Sequence, residues 1–350
     1  MAYISTSRSK ITGICSCVPN HIERTKDYGY ITGEEQDLFI KTTGIRERRV
    51  APKGVTCSDL CFAAAQDLLQ QFKCADEIDL VVFVSQSPDY YLPATSILLQ
   101  QRLNLKKDCL AFDISLGCSG YVYGLSVVTN LLQNGQLKKA LLLVGDKSTT
   151  STSFTDKSAY PLFGDAGTAT LIEYDEDAPA MHFNLQSDGG GKNAIIIEHG
   201  HSRSPFDSTF EDPVEIEPGI NRAKKHLALN GLDIFNFALK EVAPNIHLLF
   251  EKSSIAPEAV DHYIFHQANR LINESVRKKL KVDPSKVPYS IDLYGNTSSA
   301  SIPLTICHAL KHEAGSQKLT LLLSGFGVGF SWGSVILQTE NVYTNLIGHD

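Results

Sequence analysis

Short apolar runs alternate with segments of helical periodicity along most of the chain. In the first half, strand-like runs cover 80–84, 110–114, 140–144 and 168–172. In the second half, they cover 263–265, 290–293, 319–323 and 333–337. Helical patterns occupy the same gaps in both halves, at 94–103, 118–133, 268–280 and 299–312. This alternation is typical of a layered α/β fold.

The two halves repeat one order of elements, β-α-β-α-β-β, which predicts an internal duplication with halves at 1–180 and 181–350. The alternative is two similar patterns that arose by chance. Halves packed about a pseudo-twofold axis would bring corresponding strand ends to one crevice, where ligands of α/β sheets bind. Residues 184–222 depart from this order, and their glycines and acidic, proline-punctuated run predict an irregular excursion over the surface or the site mouth.

Composition and charge argue against several classes of protein. The chain has 350 residues with 43% hydrophobic and 20% charged residues, as in ordinary globular enzymes. A formal charge of −7 argues against nucleic acid as a partner. No apolar run approaches the roughly 20 residues of a membrane span, and the N-terminus lacks a signal-peptide pattern. Eight scattered cysteines show neither a disulfide framework nor zinc spacing, so we expect reduced thiols, no metal and a cytoplasmic protein.

Three polar residues follow strand-like runs. Cys118 lies between the run at 110–114 and a helical pattern, where backbone N–H groups at a helix N-terminus favour a thiolate. Gly117 and Gly120 beside it allow a tight turn. His266 and Asn296 follow runs in the second half, and Asn296 corresponds in position to Cys118. A cysteine, a histidine and an asparagine at equivalent strand ends indicate acyl chemistry, with two hydrogen-bond donors for an enolate or oxyanion.

Each residue also has a simpler interpretation. Cys118 taken alone could be a buried structural thiol, His266 a core histidine and Asn296 a turn cap. Their agreement in a duplicated pattern favours the catalytic interpretation. The glycine-rich segment 325–333 lacks the P-loop pattern, and we expect its amide at Val328 to form an oxyanion hole with the amide of Cys118.

Six motifs in order and spacing resemble β-ketoacyl-acyl-carrier-protein synthase III, within the thiolase superfamily. They are Thr43–Arg49, Asp113–Tyr123, Phe163–Gly167, His266–Asn269, Tyr294–Ser298 and Gly325–Gly333. The resemblance implies a thiolase-like fold in α-β-α-β-α layers and a homodimer. It also implies Cys118, His266 and Asn296 as the catalytic triad.

The resemblance further implies a decarboxylative Claisen condensation. Cys118 would take an acyl group from a coenzyme A or carrier-protein thioester. A malonyl thioester on an acyl-carrier protein would then lose carbon dioxide, and its enolate, held by His266 and Asn296, would attack the acyl-enzyme. The product would be a β-ketoacyl-carrier in fatty-acid or related biosynthesis, made without a metal or redox cofactor.

Several substrate positions differ from the family pattern. Leu38 and Thr42 stand where well-known members place a Trp and an Arg against the adenine of coenzyme A, which favours a carrier-bound donor. Leu92 stands at an acyl-pocket position often held by Phe, so we expect an acyl preference beyond acetyl. The resemblance places Asn230 and Gly231 among the substrate-binding residues.

Three basic residues, Arg270, Arg277 and Lys281, fall on one face of the predicted helix at 268–280 and its end. On an acidic protein, such a stripe could dock an acidic carrier protein, or it could be an ordinary solvated face.

Three other functions compete with condensation. An acyltransferase of the same fold would pass the acyl group from Cys118 to a hydroxyl or amine without decarboxylation. A papain-like protease shares the order of Cys, His and Asn but not the surroundings of its cysteine. A catalytically silent subunit would not need all three side chains.

Overall fold

The apolar runs form the inner strands of two β-sheets in a computed structural model that describes residues 2–350. The strands are β1 Ala2–Thr6, β2 Ser9–Pro19, β3 Ile22–Arg24, β4 Glu47–Arg49, β5 Leu80–Val84, β6 Leu110–Ile114, β7 Lys139–Asp146, β8 Ala166–Tyr174, β9 Met181–Ser187, β10 Ile195–Ile196, β11 Val214–Glu217, β12 Ile220–Arg222, β13 Ala228–Leu229, β14 His262–Phe265, β15 Lys318–Gly327, β16 Ser331–Glu340 and β17 Tyr343–His349. The helices are α1 Gly33–Thr43, α2 Cys57–Phe72, α3 Thr95–Arg102, α4 Gly120–Leu132, α5 Gly231–Ser253, α6 Arg270–Leu280, α7 Ile291–Tyr294, α8 Ser301–Ala309 and α9 Lys311–Ala314.

The two main sheets share a strand order. The first runs β17-β2-β8-β7-β5-β6 and the second β1-β9-β16-β15-β14. In both, a parallel pair (β5 and β7, or β14 and β15) is followed by two antiparallel pairs. The strands β5, β7, β8 and β2 therefore correspond to β14, β15, β16 and β9, as the predicted duplication requires. The second sheet has no counterpart of β6 among the described residues.

Helices α4 and α8 lie between the two sheets. One apolar cluster joins Leu125 of α4 and Ile306 of α8 to Val82 of the first sheet and Val335 of the second. A second cluster packs α2 and α3 on the outer face of the first sheet. A third packs α5 and α6 on the outer face of the second. The layers are therefore α-β-α-β-α, as predicted.

Three expectations from the sequence need correction. Residues 290–293 are not a strand, because Ile291–Tyr294 forms the one-turn helix α7. Residues 184–187 belong to β9 inside the second sheet, and only the rest of 184–222 is an excursion of turns and short ribbons. The two terminal strands cross the predicted division at residue 180, since β1 pairs in the second sheet and β17 in the first.

No helix among residues 2–350 is long and apolar enough to cross a membrane.

Candidate active site

Cys118 lies in the short turn between β6 and α4, and two glycines make this turn possible. A Cβ on Gly117 would lie 2.4 Å from Oε1 of Gln86, and a Cβ on Gly120 would lie 2.7 Å from Cγ1 of Val84. A side chain at Gly120 would push the turn away from Val84 of β5, whereas a side chain at Gly117 would displace the end of the Gln86 side chain. The turn therefore holds the sulfur close to the first sheet, with only 6% of Cys118 exposed.

His266 follows the last residue of β14 and is fixed from two sides. Its backbone N–H donates to the Ser324 carbonyl over 2.8 Å, and Nδ1 lies 2.8 Å from Oγ of Ser301. That Oγ also accepts from the N–H of Gln267, so the Ser301 hydroxyl proton is free to be donated to Nδ1. We assign the ring proton to Nε2, because the Ser301 hydroxyl can then donate to Nδ1 while the ring donates to the backbone of Ser298.

Burial keeps His266 uncharged. Desolvation lowers the pKa of His266 to about 3, and a backbone hydrogen bond with Ser298 only partly offsets this effect. The edge of the buried Phe326 ring meets the imidazole at 84° with ring centroids 5.6 Å apart. At neutral pH the imidazole is therefore a neutral hydrogen-bond donor.

Asn296 follows α7 at Gly295, whose φ of 66° ends the helix. Its backbone pairs with the segment before β8, through bonds of 2.9 Å to the Leu162 carbonyl and 3.1 Å from the Gly164 N–H. The N–H of Ser298 donates to the carboxamide oxygen over 2.9 Å. With its oxygen occupied in this way, Asn296 presents its NH₂ group as the donor.

These three residues line one cavity of about 210 Å³. One wall is apolar and includes Ile195, Leu229 and Ile234. The structure thus brings together the cysteine of one half and the histidine and asparagine of the other.

The turn between β15 and β16 closes the cavity beside the sulfur. A Cβ on Gly327 would lie 2.8 Å from Sγ of Cys118, so glycine allows the backbone to approach the thiol closely. The Ser119 and Ser331 hydroxyls tie this turn to the start of α4 over 2.6 Å. Backbone hydrogen bonds from Val328 and from Cys118 itself act on the sulfur and lower its pKa. Val328 is not among the residues with positive φ, as expected for a non-glycine residue there.

The thiol is protonated in the resting site, in contrast to the thiolate expected from the helix N-terminus. Burial, with the nearby carboxyl of Asp146 as a further cause, raises the pKa of Cys118 to about 11. Desolvation therefore outweighs the hydrogen bonds that favour the charged sulfur.

Asp146, Ser298 and Ser301 contact these residues and were not predicted. Ser298 lies 4.0 Å from the sulfur through its Oγ. Asp146 lines the cavity from the end of β7. The sequence contained a signal for the two serines, because both lie in the polar run that follows Asn296. Asp146 had the same local signal as Cys118 and His266, because it is a polar residue that follows the apolar run at 140–144.

The predicted substrate residues are spread over the surface. Gly231 lines the cavity, and Asn230 caps α5 beside it by accepting from the N–H of Asp233. Leu38 is 63% exposed and Thr42 is exposed, and neither lines the cavity. Leu92 is 86% exposed and lines a groove next to the cavity.

The predicted basic stripe is wrong at Arg277. Its guanidinium donates to the Glu274 carboxylate over 2.9 and 3.0 Å and to the Val282 carbonyl over 2.7 Å, and its side chain is only 12% exposed. These contacts keep the Arg277 side chain against the protein, because the chain turns after Leu280 and places the Val282 carbonyl next to the guanidinium. Arg270 and Lys281 are exposed, as are Lys278 and Lys279.

Among residues 2–350, no group of three His, Cys, Asp or Glu side chains is arranged to hold a metal ion.

Two family models match the chain. The model of 3-oxoacyl-[acyl-carrier-protein] synthase III covers residues 112–189, and that of its C-terminal part covers 250–339. A curated relative, β-ketoacyl-[acyl-carrier-protein] synthase III 1 of Halalkalibacterium halodurans, is 34% identical over 95% of this chain and 99% of its own. The chain belongs to the β-ketoacyl-[acyl-carrier-protein] synthase III family.

Solved structures of this family have the same architecture. A 3-oxoacyl-(acyl-carrier-protein) synthase from Burkholderia xenovorans LB400 is 36% identical, with a TM-score of 0.93 over 99% of both chains. The priming β-ketosynthase of the R1128 polyketide pathway is 26% identical, with a TM-score of 0.82 over 96% of this chain and 97% of its own. This likeness confirms the predicted thiolase-like fold.

Proposed function

We propose that the protein catalyses the decarboxylative condensation of an acyl thioester with a malonyl thioester on an acyl-carrier protein, through an acyl group held on Cys118. The observation that carries the proposal is the cavity in which Cys118, His266 and Asn296 meet beside two backbone donors. The names of the relatives that match over nearly the full length support the same reaction.

In the first half-reaction, the sulfur of Cys118 attacks the thioester carbonyl and the donor thiol leaves. Negative charge on the carbonyl oxygen is stabilised by the amides of Cys118 and Val328, which act as the oxyanion hole. Gly327 lets this backbone approach the sulfur, which places the amide of Val328 beside the reacting atom.

In the second half-reaction, the malonyl group loses carbon dioxide and its thioester becomes an enolate. The neutral Nε2–H of His266 and the NH₂ group of Asn296 donate to the enolate oxygen. The enolate carbon then forms a bond to the acyl carbonyl, and the sulfur of Cys118 is released. These steps call for no metal or redox cofactor.

The proposed partners are an acyl-carrier protein and a second copy of the chain. The exposed Arg270, Lys278 and Lys281 lie on and after α6, and they replace the stripe that included Arg277 as the proposed carrier-docking surface. For the homodimer, the support is the edge strand β6, which pairs only with β5 and leaves its other side open. That the acyl donor is bound to a carrier protein rather than to coenzyme A stays a prediction.

Substitutions separate the two half-reactions. In His266→Ala and Asn296→Ala, we expect decarboxylation of the malonyl thioester to slow by about 100-fold, since one oxyanion donor contributes this much. Acylation of Cys118 should be partly retained in both variants. Equal loss of both half-reactions would argue against enolate stabilisation by these residues.

Carbon dioxide release distinguishes condensation from simple acyl transfer. Enzyme, acyl donor and malonyl-carrier are mixed, and carbon dioxide and the β-ketoacyl product are measured together. Condensation predicts equal amounts of the two. Transfer of the acyl group to a hydroxyl or amine without carbon dioxide release would instead support the acyltransferase alternative.

A further inference from the structure

The Cys118 thiol must lose its proton before the sulfur can attack a thioester. Cys118 is protonated at neutral pH, and its attack on a thioester requires a group that takes the proton. The titratable side chains that line the cavity are Cys118, His266 and Asp146. His266 is a poor acceptor, because burial lowers its pKa to about 3.

Asp146 is placed to be this acceptor. Only 2% of it is exposed, and its carboxylate accepts from the backbone N–H of Gln86 over 2.7 Å and from the hydroxyls of Ser85 and Ser299 over 3.1 and 3.0 Å. The Ser87 hydroxyl also donates to it, over 3.4 Å, and all four of these hydrogen bonds favour the ionised form of the carboxyl group. A buried carboxylate without a cationic partner in contact is costly unless hydrogen bonds satisfy its oxygens, and these donors do so.

Ser298 connects the carboxylate to the sulfur. Its Oγ lies 4.0 Å from Sγ of Cys118. Burial raises the pKa of Asp146 above its ordinary value, and a hydrogen bond from the Ser298 side chain is the largest of the effects that oppose this rise. Its backbone is left-handed, with φ of 50°, a conformation that costs free energy for a non-glycine residue and is concentrated at functional sites. A hydroxyl both accepts and donates, so it can pass a proton between two groups.

We infer that Asp146 is the general base for Cys118 and receives the thiol proton through the hydroxyl of Ser298. The thiol proton moves to Ser298 Oγ while the Ser298 proton moves to the Asp146 carboxylate. The freed electron pair on sulfur forms the bond to the acyl carbon, and the bond from that carbon to the donor sulfur breaks. The leaving thiolate then takes the proton back along the same route, which restores the carboxylate. This inference rests on the proposed function.

Other titratable groups near Asp146 do not supply this route. Cys57 approaches it from α2, but a hydrogen bond with Cys61, together with burial, raises the pKa of Cys57 well above its ordinary value, so it stays a neutral thiol. Lys147 follows Asp146 in the chain, yet its ammonium donates to the carbonyls of Pro52 and Val55. Ser298 is therefore the side chain that contacts both the sulfur and the carboxylate.

The test is the single-turnover rate of Cys118 acylation by an acyl thioester, followed by intact mass from pH 5 to pH 10. In Asp146→Asn, we expect the rate at neutral pH to fall about 100-fold. Its rate should then rise about tenfold per pH unit, because hydroxide must take the proton. The wild-type rate should instead be flat once Asp146 is ionised.

A purely electrostatic role for Asp146 predicts the opposite result. The carboxylate opposes the thiolate, so its neutralisation alone would lower the pKa of Cys118 and speed acylation. An Asp146→Asn rate equal to or above that of wild type would overturn the inference. A wild-type enzyme that is never acylated would overturn the proposed function itself, so the two failures are distinguishable.

Matched variants show whether a slower acylation rate results from loss of the base or from misfolding. Asp165 is equally buried, accepts from Ala51 and Thr149, and does not line the cavity. Asp165→Asn should leave the acylation rate and its pH profile unchanged. Ser298→Ala keeps the charge of Asp146 and should slow acylation as Asp146→Asn does, whereas Ser299→Ala, which removes only a donor to the carboxylate, should cost less. Equal rates for the two serine variants would also overturn the inference.

Discussion

Single residues in this site are controlled mainly by burial. Cys118 and His266 lie in the same cavity, and removal from water favours the neutral form of each. A neutral imidazole suits an enolate, because it donates a hydrogen bond without creating an ion pair that must later be broken. The neutral thiol, in contrast, is a poor nucleophile, and a base must take its proton before it can react.

The buried His266 makes the stability of the protein depend on pH. Its pKa falls from 6.5 in the unfolded chain to about 3 in the folded one, so between these values only the unfolded state binds the proton. As pH falls through this window, the free energy of unfolding should decrease by up to about 1.4 kcal/mol per pH unit from this group. Urea unfolding of His266→Gln should lack this part of the slope. The exposed His312→Gln should keep it, and identical slopes for both variants would contradict the account.

Gly327 tests how closely the turn must approach the sulfur. Gly327→Ala places a Cβ 2.6 Å from the Cys118 Cβ, so the turn has to move and the amide of Val328 with it. We expect acylation to slow by about 100-fold, the usual loss for one oxyanion donor. Gly29→Ala is the control, because its Cβ would meet no atom within 4 Å. Normal acylation in Gly327→Ala would show that the Val328 amide does not act in the oxyanion hole.

At the scale of elements, the sequence predicts buried strands well and short polar segments poorly. Leu80–Val84 is apolar throughout and forms a fully buried strand, as its pattern predicts. Residues 290–293 alternate between polar and apolar, and four residues of this pattern fit a strand as well as the single turn of α7. The tertiary contacts around α7 stabilise the helix, and these contacts cannot be predicted from a local sequence pattern.

Arg277 gives a prediction for α6. Its ion pair with Glu274 and its bond to the Val282 carbonyl hold the end of the helix, so Arg277→Ala should lower the free energy of unfolding by about 1–3 kcal/mol. The exposed Lys278→Ala, inside the same helix, should change it by less than about 0.5 kcal/mol. Chemical denaturation measures both. Equal stability of the two variants would mean that Arg277 is not structural.

At the scale of the whole molecule, the duplication explains why the three proposed catalytic residues could be found from sequence. Cys118 lies just before α4 and Asn296 a few residues before α8, and both helices pack in the apolar cluster between the two sheets, which brings these positions together. The protonation states, and the approach of Asp146 through Ser298, depend on distances between segments far apart in the chain. These distances follow only from the folded structure.

The unpaired edge of β6 predicts that two copies of the chain form a homodimer. If two copies pair there, the particle mass in solution should be twice the 38.4 kDa of one chain. Light scattering coupled to size-exclusion chromatography at micromolar concentration measures this mass. A particle of one chain mass across the concentration range would contradict the proposed homodimer.

The central claim is that one sulfur, that of Cys118, carries the acyl group. The most direct measurement is intact mass and peptide mapping of the wild type and Cys118→Ala after exposure to acyl-coenzyme A and acyl-carrier donors. The account predicts one added acyl group on the peptide that contains Cys118, and none in the variant. Acylation that persists in Cys118→Ala, or that maps to another cysteine, would contradict it.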